Sequence, residues 1–411
     1  MVDSAAEPDI VVFRRRMLAS ACGGHFIHDG THDTIYVLLP LWAEAFGLAY
    51  SQIGMLKAAF SGALALFQML AGVLSERMGS RPLLVAGTAT MGLMFGLTAF
   101  AFDFWSLLVL IFLAGTASAV QHPLGSSIIS AAYSQGARRA ALGVYNFSGD
   151  LGKMGVVLLM GFLIAYLGWR ASSAAYGIAV IAAASILFGM LAWLPKPPKQ
   201  QTTGLNLGPR AYRNTGWGFT DARGYSILSA IHVLDSACRT GLLTFLPFVL
   251  IAKGASASGI GLALGLIFAG GAAGKLICGL IGARIGILRT VILTELATAA
   301  LIIVVVVSPL PLVFTIIPIL GIALNGTSSV LYGTIGEFVR DDRQARAFGL
   351  FYTFGSSAST VSPIMFGIMS DFSGAMTALY AISATALFIV PVSLLLRPHL
   401  VSEGKQATPL S

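Results

Sequence analysis

Long apolar stretches, each separated from the next by a short polar or glycine-bearing turn, follow one another along the whole of this chain. A helix needs about 20 mostly apolar residues to cross a bilayer. Twelve spans of that kind are predicted, at 17–46, 51–74, 82–102, 105–131, 140–166, 171–194, 224–252, 257–283, 289–308, 311–335, 345–370 and 375–396. No soluble domain fits between them, the longest connection being Pro195–Arg223. The first span departs from the pattern in its middle. His25, His28, Asp29, His32 and Asp33 stand where the run should be almost wholly hydrophobic. A charged side chain at bilayer depth costs roughly 2.5–3.5 kcal/mol or more, so it survives facing a watery cavity or a paired partner. Moving protons or solute is the usual reason for such a cluster, and a transporter is the expectation.

Composition agrees with the spans. The chain is 56% hydrophobic and 10% charged, where soluble proteins carry about 25% charged residues, and its mean hydropathy is +0.84. The net charge of +8 invites a nucleic-acid partner, but the placement of the charges rejects one. With the N-terminus cytoplasmic, 19 of the 25 Lys and Arg fall in inner segments. Arg170 and Lys253 fall in outer loops, and Lys57, Lys153, Arg239 and Lys275 lie within spans. The positive-inside rule then predicts both termini in the cytoplasm, in a multi-pass protein of the inner (plasma) membrane. Cys22, Cys238 and Cys278 all lie in spans with no CxxC pair, so neither a disulfide framework nor a zinc site is implied. Arg14, Arg15 and Arg16 before Met17 faintly resemble a secretion signal. The apolar stretch before Cys22 is too short for one, and hydrophobicity runs on to residue 46.

The two halves read as copies. Gly47, Ser51, Ile53 and Gly54 match Gly254, Ser258, Ile260 and Gly261 at an offset of 207, as do Pro40 with Pro247, Gly72 with Gly279 and Gly79 with Gly286. Gly115, Gly143, Gly149, Gly161 and Gly168 match Gly321, Gly349, Gly355, Gly367 and Gly374 at 206, and Asp29 matches Asp235. A parallel duplication of two six-helix halves joined by a longer cytoplasmic linker resembles the major facilitator superfamily. The inner loop between spans two and three carries the resemblance further. Gly72, Glu76, Arg77, Gly79 and Arg81 fit that family's loop pattern, with Glu76 where Asp is more usual. The resemblance implies halves that rock about a midplane site, and a conformational latch made of these five residues. The second copy keeps Arg284 and Arg289 but lacks the acid, so the latch is asymmetric. Spans one, four, seven and ten resemble the family's cavity-lining set.

Helical spacing sorts the polar residues into faces. In span one His25, Asp29, His32 and Tyr36 form a stripe, with His28 and Asp33 flanking it. Asp29 lies about twelve residues into the span, roughly 18 Å at 1.5 Å per residue, which is mid-membrane. Carboxylates and imidazoles together can load and release protons, so Asp29, Asp33, His25 and His32 are the proton-coupling candidates. Span four carries Gln121, His122 and Pro123, then Ser126 and Ser127, and the proline frees a carbonyl beside His122. Span five carries Asp150 and Lys153, an i, i+3 pair able to neutralise itself. Span seven places His232, Asp235 and Arg239 on one face, and span ten offers Asn325, Ser328, Ser329 and Tyr332. Tyr36, His122, Asp150, Lys153, His232, Asp235, Arg239 and Asn325 are the substrate-binding candidates, with Lys153 and Arg239 best placed to meet an anion. Lys275 and Glu295 read as snorkelling toward the inner surface, and Lys57 has the least to recommend it.

Gly24, His25, His28 and Asp29, with His122 and Pro123 followed by Ser126 and Ser127, resemble the fosmidomycin-resistance family of proton-driven exporters. That resemblance implies antiport. The drug antiporters have a Gly-Pro pair in span five, however. This chain has Gly155 and Val156 there, while Pro363 stands at the matching place in span eleven. The expectation is an all-α membrane protein of twelve transmembrane helices in two pseudo-symmetric six-helix bundles. Its domains are a cytoplasmic tail 1–16, a bundle 17–194, a cytoplasmic linker 195–223, a bundle 224–396 and a tail 397–411. It works as a monomer in the lipid bilayer, coupling protons to antiport export of a small polar or anionic organic compound or drug. The alternatives are a proton-coupled uptake symporter for a carboxylate-type solute, or a divalent metal transporter using His28 and His32 at i, i+4 with Asp29 or Asp33. No catalytic constellation, cofactor motif or P-loop is present, so neither an enzyme nor ATP-driven pumping is expected.

Overall fold

The structure is a computed structural model that describes residues 6–133, 135–192, 217–340 and 343–400. Most of the expected linker, 195–216, and the tail residues 1–5 and 401–411 lie outside the described residues. The chain is all-α. Its helices are α1 (Ala6–Phe46), α2 (Tyr50–Met78), α3 (Ser80–Leu97), α4 (Phe104–Ser118), α5 (Gln121–Ala132), α6 (Gln135–Ala192), α7 (Ala222–Ala252), α8 (Ala257–Ile285), α9 (Ile287–Val307), α10 (Leu310–Thr334), α11 (Gln344–Ser373) and α12 (Ala375–Leu396). Span four is the broken pair α4 and α5. Spans five and six follow one another within α6, whose backbone breaks between them at Gly168. These make the twelve transmembrane helices.

Among the described residues nine helical stretches are long and apolar enough to cross a membrane. Because α6 counts once, α1 and α11 are the spans that fall short, each being rich in polar residues. The first helix also starts earlier than its hydrophobicity suggests, at Ala6, within the expected tail.

The internal repeat is visible in the turns. Among the described residues every positive φ belongs to a glycine. Six of those glycines are repeat partners: Gly47 and Gly254 (62° and 89°), Gly79 and Gly286 (84° and 88°), and Gly168 and Gly374 (73° and 84°). A side chain is strained at such a φ, so these positions require glycine where one helix ends and the next begins. Elsewhere side chains close the helix starts. Asp103 accepts from the Ser106 amide at 2.8 Å, and the Ser106 amide and hydroxyl together hold the Asp103 carboxyl below its ordinary range. Asp221 caps α7 through the Arg223 and Gly224 amides at 3.0 Å. The Gly224 amide, followed by His399, lowers its carboxyl in the same way.

The chain forms two compact units. Unit 1 comprises Met1–Leu48, Met55–Arg213 and Ser256–Gly265; unit 2 comprises Ala49–Gly54, Asn214–Ala255 and Leu266–Ser411. Within unit 1 the first half of α6 lies unusually close to α1. A Cβ added at Gly152 would stand 2.0 Å from the Phe26 carbonyl oxygen. Gly152→Val should therefore force the two backbones apart. Overpacking of this kind costs about 1–3 kcal/mol or more, read as a lower melting temperature in detergent. Gly155→Ala, whose new carbon would meet the Phe26 ring at an ordinary 3.6 Å, should melt like the parent.

Candidate functional site

The close approach of α1 and α6 brings one carboxylate into the centre of unit 1. Asp29 is 6% exposed and Lys153 Nζ lies 3.2 Å from its Oδ2. Lys153 also reaches Asp150, at 3.7 Å. The expected i, i+3 pair of span five is present, and its lysine stands closer still to the carboxylate of span one, which sequence spacing did not show. Gly149 leaves the room. A Cβ there would lie 2.6 Å from Asp29 Oδ2 and 2.7 Å from the His25 ring.

Three imidazoles complete the cluster, and their partners decide where the ring protons sit. His25 Nδ1 faces the Tyr145 carbonyl at 2.7 Å, and a carbonyl only accepts, so Nδ1 carries a hydrogen. His25 Nε2 then points at Asp29 Oδ2 from 3.3 Å and is buried without a hydrogen bond. The Tyr145 ring stacks on His25 at 4.0 Å between centroids and locks this orientation. His28 Nδ1 donates to Asp29 Oδ1 at 2.9 Å, which leaves its Nε2 to accept from the Ser118 hydroxyl at 2.5 Å. His122 Nε2 stands 3.8 Å from Asp29 Oδ1. Ser118 and His122 reach in because span four breaks between α4 and α5: Pro123 has no N–H to offer the Ala119 carbonyl.

The other half of the predicted stripe forms a separate group. His32 Nδ1 lies 2.5 Å from Asp33 Oδ1, and its Nε2 is 3.2 Å from Lys57 Nζ. Lys57 is 1% exposed, with its ammonium 4.4 Å from the centre of the Tyr36 ring. A buried cation over an aromatic face is held by the ring's negative π-cloud. Lys57, which had least to recommend it, is therefore a central residue of unit 1.

Unit 2 carries its own buried polar group. His232 stacks on Phe351 at 4.1 Å and sits against Gly355, where a Cβ would lie 2.2 Å from Nε2. Arg239 Nη2 is 3.8 Å from Asp235 Oδ2 and donates to Ser236 Oγ at 3.4 Å. Glu295 does not snorkel, against expectation. It is 2% exposed and accepts from the Thr327 hydroxyl at 2.8 Å. Asn325 bonds the Gly321 carbonyl of its own helix at 3.2 Å.

The expected latch residues lie apart from these groups. Gly72, Glu76 and Arg77 end α2, Gly79 makes the turn and Arg81 opens α3; Glu76 and Arg77 are exposed. The expected metal pair does not assemble, since His28 and His32 turn to different partners. A different trio, His25, Asp29 and His122, does bring its donor atoms within 4.8 Å of one another. The Lys153 ammonium already occupies the Asp29 side of it. Tyr145, Ser118, Lys57 and Glu295 join these buried groups although the sequence placed none of them among the candidates, and His28, read only as flanking the stripe and as a metal ligand, joins them too. Intramembrane polarity was the one available signal for them.

Buried charged groups on helices long and apolar enough to cross a membrane are the usual mark of a polytopic transporter. Residues 21–248 and 228–410 match the Major Facilitator Superfamily, and the chain belongs to it. A probable 4-methylmuconolactone transporter of Cupriavidus pinatubonensis is 24% identical over 370 residues, 86% of this chain and 85% of the relative. A probable sulfoacetate transporter of Cupriavidus necator is 27% identical over 157 residues, 38% of this chain and 36% of the relative. Among solved structures, a bacterial homologue of the human lysosomal transporter Spinster superposes with a TM-score of 0.77 at 18% identity, covering 94% of this chain and 97% of the other. The nucleoside transporter NupG superposes with a TM-score of 0.76 at 12% identity, covering 92% and 99%. These two share the fold.

The Asp29–Lys153 pair should dominate the stability of unit 1. Removing one partner of a buried pair typically costs about 3–5 kcal/mol, because the other charge is left unpaired. Lys153→Met should lower the melting temperature sharply, and adding Asp29→Asn should restore most of the loss. Losses in the double variant that simply add would show that the two side chains are not coupled.

Proposed function

We propose that this secondary transporter couples protons to the movement of a small organic anion through Asp29, His25 and Lys153. The observation that carries the reading is Asp29 held by one lysine and faced by the bare Nε2 of His25. Lys153 is partly accessible, with 28% of its side chain exposed, so an incoming carboxylate or sulfonate can draw its ammonium away. Asp29 then loses its countercharge in a low-dielectric setting. A proton placed between His25 Nε2 and Asp29 Oδ2 restores neutrality and makes the missing hydrogen bond. Anion and proton are bound together. Charge balance therefore favours symport over the antiport that the fosmidomycin-resistance resemblance implies. An antiporter of this design needs a solute that drives the proton off, and an anion does the opposite.

The named solutes of the two Cupriavidus relatives, 4-methylmuconolactone and sulfoacetate, are small organic compounds and support the substrate class. Lys57, with His32 and Asp33, forms a second buried charge pair in the same unit. Glu76, Arg77 and Arg81, away from the buried groups, act on the conformational equilibrium. The positive-inside distribution supports cytoplasmic termini, and the bacterial relatives support an inner-membrane location.

Proteoliposomes with an imposed pH gradient test the reading, using radiolabelled sulfoacetate, 4-methylmuconolactone and a panel of small carboxylates as probes. Solute uptake should alkalinise the outer medium, and Asp29→Asn should abolish gradient-driven accumulation while keeping solute exchange. Accumulation at the parent rate in Asp29→Asn would refute the assignment. Acidification of the outer medium on uptake would establish antiport.

A further inference from the structure

Unit 2 buries two carboxyls, Asp235 and Glu295, and a guanidinium, that of Arg239, stands beside the first of them. Asp235 is 2% exposed and its Oδ2 accepts no hydrogen bond; the nearest cation, Arg239, stands 3.8 Å away and gives its hydrogen bond to Ser236. Glu295, on α9, is also 2% exposed, and the two helices meet the same stretch of α12: Cys238, one turn on from Asp235, faces the Ile382 carbonyl, and Ser383 donates at 3.0 Å to the carbonyl of Ala299, one turn on from Glu295. Thr327 of α10 donates to it at 2.8 Å. The remaining titratable groups around this pair are a histidine, a cysteine and two tyrosines, none of which carries a permanent charge. On α7 they are His232, whose Nδ1 is buried without a partner, and Cys238, whose thiol faces the Ile382 carbonyl of α12 at 3.6 Å. Tyr332 of α10 and Tyr352 of α11 stack on each other at 5.0 Å.

Charge counting gives the consequence. Two ionised carboxylates and one guanidinium would leave a net negative charge in an apolar bundle. Burial makes that state costly, and two carboxyls in one site relieve it by keeping a proton. The repeat adds an independent argument. Asp235 is the partner of Asp29, and Arg239 occupies the position that Asp33 holds in the first half, both at an offset of 206. Gly149 and Gly355, partners at that same offset, each leave room for an imidazole, of His25 and His232 respectively. Both halves thus place a histidine and an aspartate on the same scaffold.

We infer that Asp235 and Glu295 form a second proton-binding site, the repeat-related counterpart of the Asp29 site, occupied by one proton while Arg239 faces Asp235. On the reading of Asp29 given above, each half of the transporter then has a proton site.

Infrared spectroscopy of the full chain in lipid nanodiscs at neutral pH tests this without any substrate. A protonated-carboxyl C=O band, shifted by exchange into D2O, should be present in the parent and in Asp29→Asn. It should be lost in Glu295→Gln, whose amide can keep the Thr327 hydrogen bond, and weakened or lost in Asp235→Asn, since either substitution leaves one carboxyl to one guanidinium. A parent without the band, or a band unchanged in Glu295→Gln, would overturn the site. Should Glu295→Gln fail to fold, Thr327→Val decides: loss of the donor must raise the band's frequency, and an unmoved band overturns the assignment. Failure of the Asp29 reading shows differently, as undiminished pH-driven flux in Asp29→Asn with the Glu295 band intact.

Discussion

The structure of unit 1 depends on bringing a carboxylate into the membrane and compensating it there. Asp29 meets Lys153 at 3.2 Å and two imidazoles at 2.9 and 3.3 Å. Each contact places a demand on the backbone. The lysine and Tyr145 come from α6, which must therefore approach α1 to glycine distance at Gly149 and Gly152. Ser118 and His122 come from span four, which must break to present both. Proline, glycine and charge are linked at these positions: removing the carboxylate would leave the broken span and the thinned α6 without a purpose.

The repeat shows how one scaffold carries two electrostatic designs. The turn glycines, the proline pair within α1 and α7, and the glycines beside the histidines are held in common. The charges are not. The first half sets two aspartates one turn apart in α1 and draws its cations from α2 and α6. The second sets Asp235 and Arg239 one turn apart in α7 and draws a second acid from α9. Helix ends constrain backbone geometry and tolerate little change. Buried charges need only a compensated sum, which neighbouring helices can supply in several ways.

This division also explains what was legible in the sequence. Most of the twelve spans follow from hydrophobic length, with α1 and α11 the polar exceptions, and the duplication follows from repeated glycines, three pairs of which stand at a φ that disfavours any other residue. Asp29 was legible because a charge in an apolar run stands out. Its partners were harder to read. Helical periodicity places residues on one face of their own helix but says nothing of which neighbour that face meets. Lys153 was therefore paired with Asp150, its neighbour in sequence, when the stronger claim came from α1. Lys57 and Glu295 had no charged neighbour in register, so a snorkelling lysine or glutamate and a buried one look alike until the facing helix is known. His28 was read as flanking the stripe, yet it donates to Asp29, since adjacent residues can still converge through their side chains.

Asp150 then acquires a reason that sequence spacing alone did not supply. Lys153 has two carboxylates within reach, Asp29 at 3.2 Å and Asp150 at 3.7 Å. A lysine with a single buried partner would be left stranded if that partner took up a proton, and the stranding would oppose the proton's arrival. With Asp150 one turn away on the same helix, the ammonium can pass between acids by a small side-chain movement and stay compensated throughout. In the proposed cycle this lowers the barrier to loading Asp29 while keeping the lysine available to an anion. The i, i+3 spacing in α6 is what makes the transfer short, and the room left by Gly149 allows Asp29 to stand at one end of it.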